Sequence, residues 1–170
     1  MSDFKCGIEI ERKYIIGIPT PADMATMSDY SADSITQTYL VSLEGVTRRV
    51  RRRESASVVK YFETVKRRID GMSAHEEERE ISREEYTSML SEIADGTRPI
   101  EKVRHTFIYR GQCFEIDVYP EWKRSAILEI ELPSRTQSVE FPEFIRVIRE
   151  VTGIREYSNA SMARKFPTEE

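Results

Sequence analysis

This 170-residue sequence has few cysteines, no long apolar runs and no strong excess of either sign of charge. Its two cysteines, Cys6 and Cys113, exclude a disulfide framework, and we expect both to be small apolar core residues. No apolar run approaches the ~20 residues that span a bilayer. The opening MSDFKCGIEI also lacks the basic-then-apolar layout of a secretory signal. We therefore expect a cytoplasmic protein without a membrane partner.

Several familiar motifs are missing as well. The sequence has no P-loop, no dinucleotide-binding fingerprint and no Ser-His-Asp arrangement. Cys6 and Arg12 have the C-x5-R spacing of cysteine phosphatases, but the intervening GIEIE predicts a strand and not a loop of convergent backbone amides. The two histidines, His75 and His105, are far apart in sequence and have no metal-ligand spacing. The net charge of −4 creates no overall field that favours nucleic acid.

What the sequence does contain is alternation of apolar and polar residues with a period of two, which predicts strands. The predicted strands lie at 7–16, 34–43, 46–54, 58–68, 76–81, 99–109, 112–119 and 125–133. Helices are predicted at 82–94 and 141–153, with a further helical turn in 155–166. Ser82 and Glu85 have capping-box spacing at the start of the first helix. Residues 1–170 therefore predict one α+β domain, an eight-stranded antiparallel barrel with helices packed outside.

In each predicted strand the charged residues share the face opposite the apolar ones. Glu9, Glu11 and Lys13, for example, alternate with Ile8 and Ile10. Further charged or polar positions of this kind are Arg49, Arg51, Arg53, Thr64, Lys66, Glu78, Glu80, Lys102, Arg104, Glu115, Asp117, Glu129 and Glu131. One solvated face is the commoner explanation for a single strand. Like-signed pairs repel each other unless a counter-ion lies between them, so for the whole chain we favour a closed barrel with a charged interior.

Such an interior would offer two kinds of ligand. Carboxylates are hard oxygen ligands suited to Mg²⁺ or Mn²⁺, and the inward candidates are Glu9, Glu11, Glu129 and Glu131. Cations would surround a polyanion, and the candidates are Lys13, Arg49, Arg51, Lys66, Lys102 and Arg104. A cavity with both sets suits a metal-complexed polyphosphate.

EIERKY at residues 9–14 resembles the ExExK signature of the CYTH domain, the family of triphosphate tunnel metalloenzymes. Further pieces match in order along nearly the whole chain: QTYL (37–40), RVR (49–51), YFETVK (61–66), EREI (78–81), IEKVR (100–104), FEIDVY (114–119), ILEIEL (127–132) and REVTG…YSN (149–159). EIERK followed by a QxYL strand resembles the inorganic-triphosphatase branch of that family.

The resemblance implies a tunnel of eight antiparallel strands that hydrolyses a triphosphate, inorganic tripolyphosphate in this branch, by in-line attack of water. It implies Mg²⁺ or Mn²⁺ as the cofactor, with metal ligands at Glu9, Glu11, Glu129, Glu131 and Asp117. It implies phosphate contacts from Lys13, Arg49, Arg51, Lys66, Lys102 and Arg104. For catalysis it implies that Glu78, Glu80 or the pair Lys13 and Tyr39 orients or deprotonates the water, and the choice among them stays open.

Alternatives remain open at this point. Glu76 stands where relatives often have arginine, which leaves substrate preference unsettled. The same tunnel could serve a class IV adenylate cyclase, or a thiamine or nucleoside triphosphatase. The basic run TRRVRRR at 47–53 could instead bind polyphosphate or RNA without catalysis, but it lacks the interleaved aromatic residues expected for single-stranded nucleic acid. The expected partner is a small-molecule triphosphate, and a homodimer is left open.

Overall fold

The computed structural model describes residues 4–170, with side chains from Cys6 onward. The strands of this part of the chain are β1 (Phe4–Gly17), β2 (Ser28–Leu40), β3 (Val46–Ser55), β4 (Val58–Arg68), β5 (Ser73–Ile81), β6 (Ile100–Tyr109), β7 (Gln112–Val118), β8 (Ser125–Glu131) and β9 (Val147–Glu150). Its helices are α1 (Pro21–Ala25), α2 (Arg83–Met89) and α3 (Asn159–Met162), with 3₁₀ turns at Leu90–Glu92 and Arg155–Tyr157.

Eight of these strands close into an antiparallel barrel, as predicted. The order around the barrel is β5-β4-β3-β2-β6-β7-β8-β1, and β1 pairs with β5 to complete the ring. The first half of β1 pairs with β5 from Phe4 to Ile10, and its second half pairs with β8 from Glu11 to Gly17. Closure removes most of the free sheet edges that would otherwise need protection.

Local turn chemistry supports this topology. β6 and β7 are joined through Arg110 and Gly111, which both have positive φ (47° and 75°), as a two-residue type I′ hairpin requires. The predicted capping box at the start of α2 is confirmed, because Ser82 accepts from the Glu85 amide and the Glu85 side chain accepts from the Ser82 amide. α2 ends at Met89, earlier than predicted, and continues as the 3₁₀ turn Leu90–Glu92.

The main hydrophobic core lies on the outside of the barrel. The outer faces of β1, β7 and β8 contribute apolar side chains such as Ile16, Phe114 and Leu128, all fully buried. Met24 of α1 and the irregular segment around Ile145 cover them. Full burial of such a side chain contributes about 1.5–3 kcal/mol, so this outer core holds the sheet in its curved form.

A second apolar cluster lies inside the barrel, beside Ile15 and Ile127. It includes Trp122, whose indole NH donates to the Pro167 carbonyl at 3.0 Å, and buried Met162 of α3. The charged part of the interior begins at the next inward pair of residues, Lys13 of β1 and Glu129 of β8. No helix in the described part of the chain is both long enough and apolar enough to cross a bilayer.

The predicted helix over 141–153 is wrong. Val147–Glu150 instead forms β9, which pairs with β1 from Tyr14 to Ile16. The physical reason is non-local: β5 stops pairing with β1 at Ile10, so the rest of that edge needs a partner for its backbone groups. The β-branched residues of the segment suit a strand, and a bidentate contact from Arg12 to Glu150 (2.9 and 2.7 Å) holds it in place.

The prediction for Cys6 as a core residue is also wrong. Cys6 lies exposed on the outer face of β1, where strand alternation puts it opposite the face of Glu9 and Glu11. Cys113 is half-buried in β7.

Candidate active site in the barrel interior

Charges inside the barrel are divided between two continuous walls. The neighbouring strands β7, β8, β1 and β5 carry the acidic residues. The basic residues are on β4, β3 and β6, and β2 lies between β3 and β6. The inward acidic residues are Glu115, Asp117, Glu129, Glu131, Glu9, Glu11, Glu76 and Glu78, and the inward basic residues are Lys66, Arg49, Arg51, Arg53, Lys102 and Arg104. Two residues depart from this division: Lys13 is a cation on the acidic wall, and Asp33 of β2 is a buried acid on the basic wall, where it pairs with Arg53. The predicted convergence of charge is thus present, and it takes the form of two half-cylinders of opposite sign.

These walls enclose a cavity of about 890 Å³. It brings together most of the site residues predicted from sequence: Glu9, Glu11, Lys13, Tyr39, Arg49, Arg51, Lys66, Glu78, Arg104, Glu129 and Glu131. Lys102, Asp117 and Glu80 do not line it. The first two are buried beneath the cavity wall, and Glu80 lies to one side, where it accepts from Lys60 at 3.2 Å.

The acidic wall has the donor set of a divalent cation site. Glu11 lies directly across the β1–β8 ladder from Glu131, and Lys13 lies across from Glu129. Burial and the nearby Glu129 carboxylate raise the pKa of Glu11, since like charges in a shielded site oppose ionisation. Lys13 meets only part of this negative charge, with its Nζ 2.9 Å from Glu129 Oε1. Clustered carboxylate oxygens of this kind fit Mg²⁺ or Mn²⁺.

Lys13 itself is held as a cation. Its Nζ donates to the Tyr157 carbonyl at 3.3 Å in addition to pairing with Glu129. Burial alone would lower the pKa of Lys13, but Glu129 and Glu11 outweigh burial and raise that pKa to about 12. At neutral pH this amine is therefore protonated, so it acts as a cation and not as a general base.

The basic wall contains two arginines whose hydrogen-bonding groups are incompletely used. Arg51 is buried and Arg49 is half-buried, and within the described residues the buried Nε atom of each lacks a hydrogen-bond partner. Their nearest carboxylates, Glu76 and Glu78, lie 3.9 Å away, beyond hydrogen-bond range. Burial and the neighbouring cations Arg49 and Arg104 lower the pKa of Arg51 to about 10, so it remains charged at neutral pH. Both guanidinium groups are arranged to receive an anion.

Beneath this wall lies a compact ion cluster around Asp117. Asp117 Oδ1 accepts from Arg104 Nε at 2.7 Å, and Oδ2 accepts from Arg104 at 2.8 Å and from Lys102 at 2.6 Å. Asp117 and Lys102 have no exposed side-chain surface. Burial would raise the pKa of Asp117, but Arg104 and Lys102 lower it to about 2. Both carboxylate oxygens are thus engaged by cations of this chain.

Arg104 links this cluster to the cavity. The same guanidinium reaches Glu115 at 2.5 Å and Glu129 at 3.2 Å. Three carboxylates therefore fix its position, and its planar fork is presented on the cavity wall without conformational freedom.

The residues predicted to activate water lie in different places. Glu78 is on the cavity wall, where one of its oxygens accepts from Thr64 Oγ1 at 2.8 Å. Tyr39 is buried on the β2 side of the cavity and accepts from Gln37 Nε2 at 3.1 Å. Lys13 is on β1 and contacts Glu129 and Tyr157, so Lys13 and Tyr39 make their polar contacts with different partners.

Several residues of the cavity have no role predicted from the sequence. Glu76 is buried between Arg49 (3.9 Å) and Lys66 (3.6 Å), although its inward position follows from the alternation through Glu78. Further examples are Arg53 and Glu115, which alternation placed inward without a role, and Arg155, Ser158, Asn159 and Arg164. The last four come from the C-terminal segment of short helical turns, where no periodic signal marks which side chains face the cavity.

Solved structures with the same architecture include the inorganic triphosphatase NE1496, with a TM-score of 0.59 and 25% identity over 94% of this chain and 97% of that one. PH1819 from Pyrococcus horikoshii has a TM-score of 0.56 at 16% identity, over 75% of this chain and 80% of that one. A putative adenylate cyclase from Vibrio parahaemolyticus has a TM-score of 0.51 at 14% identity, over 75% of this chain and 79% of that one. The last two likenesses concern the fold alone.

The chain therefore has the fold of the triphosphate tunnel proteins. No family model and no curated protein matches it by sequence, so the likeness is one of structure. The tunnel's ExExK strand is β1, and it supplies Glu9, Glu11 and Lys13 to the cavity.

Proposed function

We propose that this protein hydrolyses a triphosphate, with inorganic tripolyphosphate as the substrate and Mg²⁺ or Mn²⁺ as the cofactor. The inorganic triphosphatase NE1496 covers 94% of the chain at 25% identity. The fold of that protein and the charges of this cavity support the same chemistry.

The observation that carries the proposal is a pair of arginines with buried, unpartnered Nε atoms facing clustered carboxylates. Arg49 and Arg51 each have an unpartnered Nε, whereas Glu9, Glu11 and Glu131 lie on the opposite wall of one cavity. Leaving a buried donor unpaired costs about 1–3 kcal/mol, and phosphate oxygens would remove this cost. A polyanion complexed with a divalent cation satisfies both walls at once.

The metal would be held by Glu9, Glu11, Glu129 and Glu131. When bound, it supplies neutralisation of phosphate charge and Lewis-acid polarisation of the P–O bond. Asp117 has a different role in the proposal: with both oxygens engaged by Lys102 and Arg104, it positions Arg104 on the wall.

The chain's own cations stabilise the charge that develops during transfer. Arg49, Arg51, Lys66 and Arg104 would bind phosphate oxygens, and their fixed positions matter because preorganised charge is the largest contribution in phosphoryl transfer. Lys13, pinned by Glu129, would add charge from the acidic wall.

Glu78 is our candidate for orienting the attacking water. It lies on the cavity wall, and its contact with Thr64 leaves oxygen lone pairs for a second hydrogen bond. Tyr39 and Glu80 would make no direct contact with the reacting atoms, because Tyr39 is hydrogen-bonded at the buried β2 side and Glu80 lies off the cavity.

The cavity lining favours an inorganic substrate over one with an aromatic ring. Among the described lining residues Tyr39 is the only aromatic side chain, and it is 7% exposed. Nucleobases and thiamine bind best where aromatic faces are open for stacking.

Phosphate release tests the proposal. Initial rates are measured with tripolyphosphate, pyrophosphate, thiamine triphosphate and ATP, each with Mg²⁺, with Mn²⁺ and with a chelator, and the products from ATP are separated by chromatography. We expect the highest kcat/KM with tripolyphosphate and activity only with metal. Cyclic AMP as the main product, or faster turnover of an organic triphosphate, would contradict the substrate assignment.

A further inference from the structure

Outside the tunnel, three potential metal ligands from two neighbouring strands meet on the outer face of the barrel. Cys6 of β1 lies directly across the ladder from Glu77 of β5, and His75 is two residues from Glu77 on the same strand. Since side chains two apart share a face, all three project outward. Glu76 and Glu78, which alternate with them on β5, face the tunnel.

The three side chains are close enough to reach one ion. Cys6 Sγ lies 3.7 Å from His75 Nε2, and the other ring nitrogen of His75, Nδ1, lies 3.9 Å from Glu77 Oε1. One ligand atom from each residue can be chosen so that all three lie within 4.8 Å of one another. Zn–S and Zn–N bonds of ~2.3 and ~2.0 Å in a tetrahedral site separate the two ligand atoms by about 3.6 Å.

We infer that Cys6, His75 and Glu77 form a zinc site on the outer face of the barrel, separate from the tunnel. Thiolate, imidazole and carboxylate is a donor set that suits Zn²⁺ and similar transition metals, whereas the all-carboxylate wall of the tunnel suits Mg²⁺ or Mn²⁺. A thiolate and a carboxylate together balance the charge of a divalent ion. Three protein ligands leave the fourth position for water.

The site's place in the fold gives the ion a structural consequence. β1 and β5 are the first and fifth strands in sequence, and their pairing closes the ring. An ion bound by Cys6 on one strand and by His75 and Glu77 on the other would clamp that seam. Because a ligand that binds only the folded state stabilises it, zinc should raise the melting temperature of the protein.

Cobalt substitution provides a direct test, since a thiolate bound to Co²⁺ gives a charge-transfer absorption band that oxygen ligands do not. We expect one equivalent of Co²⁺ to produce this band in the wild type, and Zn²⁺ to abolish it by displacement. Cys6→Ser should lose the band. His75→Ala should weaken Co²⁺ binding by at least tenfold.

The second cysteine supplies the matched control. Cys113→Ser should keep the band, because Cys113 lies on β7, away from this seam. Glu11→Gln should keep it as well, so the result does not depend on the tunnel or on the proposed triphosphatase activity. The absence of the band in the wild type, or its survival in Cys6→Ser, would overturn the inference.

Thermal unfolding gives a readout that is independent of absorption. Zn²⁺ at about 100 times its Kd should raise the melting temperature of the wild type by roughly 5–10 °C, but not that of Cys6→Ser. Cys6 is exposed, so the serine variant should fold normally without metal. An equal zinc-dependent shift in both proteins would place the ion elsewhere and contradict the assignment.

Discussion

At the scale of single residues, Arg51 is the sharpest indicator of what the cavity binds. It is buried, its Nε lacks a partner among the described residues, and Glu78 is 3.9 Å away. Arg52, its neighbour on β3, is outside the cavity and pairs with Glu54 at 2.8 Å. The same strand thus provides an inward and an outward arginine for comparison.

Arg51→Ala should lower kcat/KM for tripolyphosphate by about 10²-fold, because a preorganised donor to phosphate oxygens is lost. Arg52→Ala should leave kcat/KM within about twofold of the wild type. Initial-rate kinetics on both variants, with circular dichroism to check folding, measures the contrast. Equal losses in the two variants would mean that the cavity arginine has no special contact with substrate.

Asp117 illustrates a second residue-scale effect, the cost of leaving buried charges unpaired. Asp117→Asn removes the charge that compensates Lys102 and Arg104, so we expect a loss of about 3–5 kcal/mol in the free energy of unfolding. Glu115→Gln, which changes a more exposed partner of Arg104 (36% exposed), should cost about 1 kcal/mol or less. Urea unfolding gives both values, and a smaller loss for Asp117→Asn than for Glu115→Gln would contradict the described cluster.

At the scale of structural elements, the turn after β9 depends on a close backbone approach. Gly153 has φ of 73°, and a Cβ there would lie 3.0 Å from the Cα and carbonyl oxygen of Gly71. Gly111, in the β6–β7 hairpin, has nearly the same φ (75°), but a Cβ there would meet nothing within 4 Å. The pair separates backbone strain from steric contact.

Gly111→Ala should therefore cost about 1–2 kcal/mol for the left-handed conformation alone. Gly153→Ala should cost about 3 kcal/mol or more, since overpacking against Gly71 is added. Chemical denaturation of the two variants measures the difference. Equal losses of unfolding free energy in the two variants would show that the backbone at Gly71 moves away from the added Cβ at no energetic cost.

Strands β3, β4 and β5 are connected on their outer faces through Glu63. Its carboxylate accepts from Arg48 of β3 at 2.8 Å and from Arg79 of β5 at 2.8 Å. Burial opposes ionisation of Glu63, but the two arginines outweigh it and lower its pKa below the usual 4.5. A carboxylate whose pKa is lower in the folded state stabilises the fold at pH values above its unfolded pKa.

We expect Glu63→Gln to lose about 1 kcal/mol of stability at pH 7, a value discounted for the partly exposed arginines. The difference from the wild type should shrink as the pH falls below about 4.5 and Glu63 becomes protonated in both states. Urea unfolding at several pH values tests this. A difference that grows on acidification would have the wrong sign for this linkage.

The sequence predicted elements best where the signal is local. Alternation identified the eight barrel strands, and the residues Arg110-Gly111 and Ser82-x-x-Glu85 identified a hairpin and a capping box. The segment 141–153 failed because its apolar spacing fits a helix, while the choice of strand depends on the edge of β1 left unpaired beyond Ile10. That edge is created by the stagger of the closed barrel, which no local pattern records.

At the scale of the whole molecule, the decisive feature is the division of the interior into an acidic and a basic wall. Which charges face inward could be predicted from alternation, but their depth could not. Lys102 and Asp117 have the same parity as Arg104 and Glu115, yet lie beneath the cavity wall, because strand stagger sets the layer of each residue. The meeting of Cys6 with His75 and Glu77 was equally hidden, since 69 residues separate Cys6 from His75.

Metal-dependent turnover by Glu11→Gln tests the central claim most directly, namely that the acidic wall holds a divalent cation while the basic wall holds a triphosphate. Phosphate release from tripolyphosphate is measured over a range of Mg²⁺ concentrations for the wild type, for Glu11→Gln and for Glu101→Gln, a change at an exposed residue of β6. We predict no turnover in chelator, a loss of at least about 10²-fold in Glu11→Gln, and wild-type rates in Glu101→Gln. Undiminished turnover in Glu11→Gln, or full activity of the wild type without metal, would contradict the account.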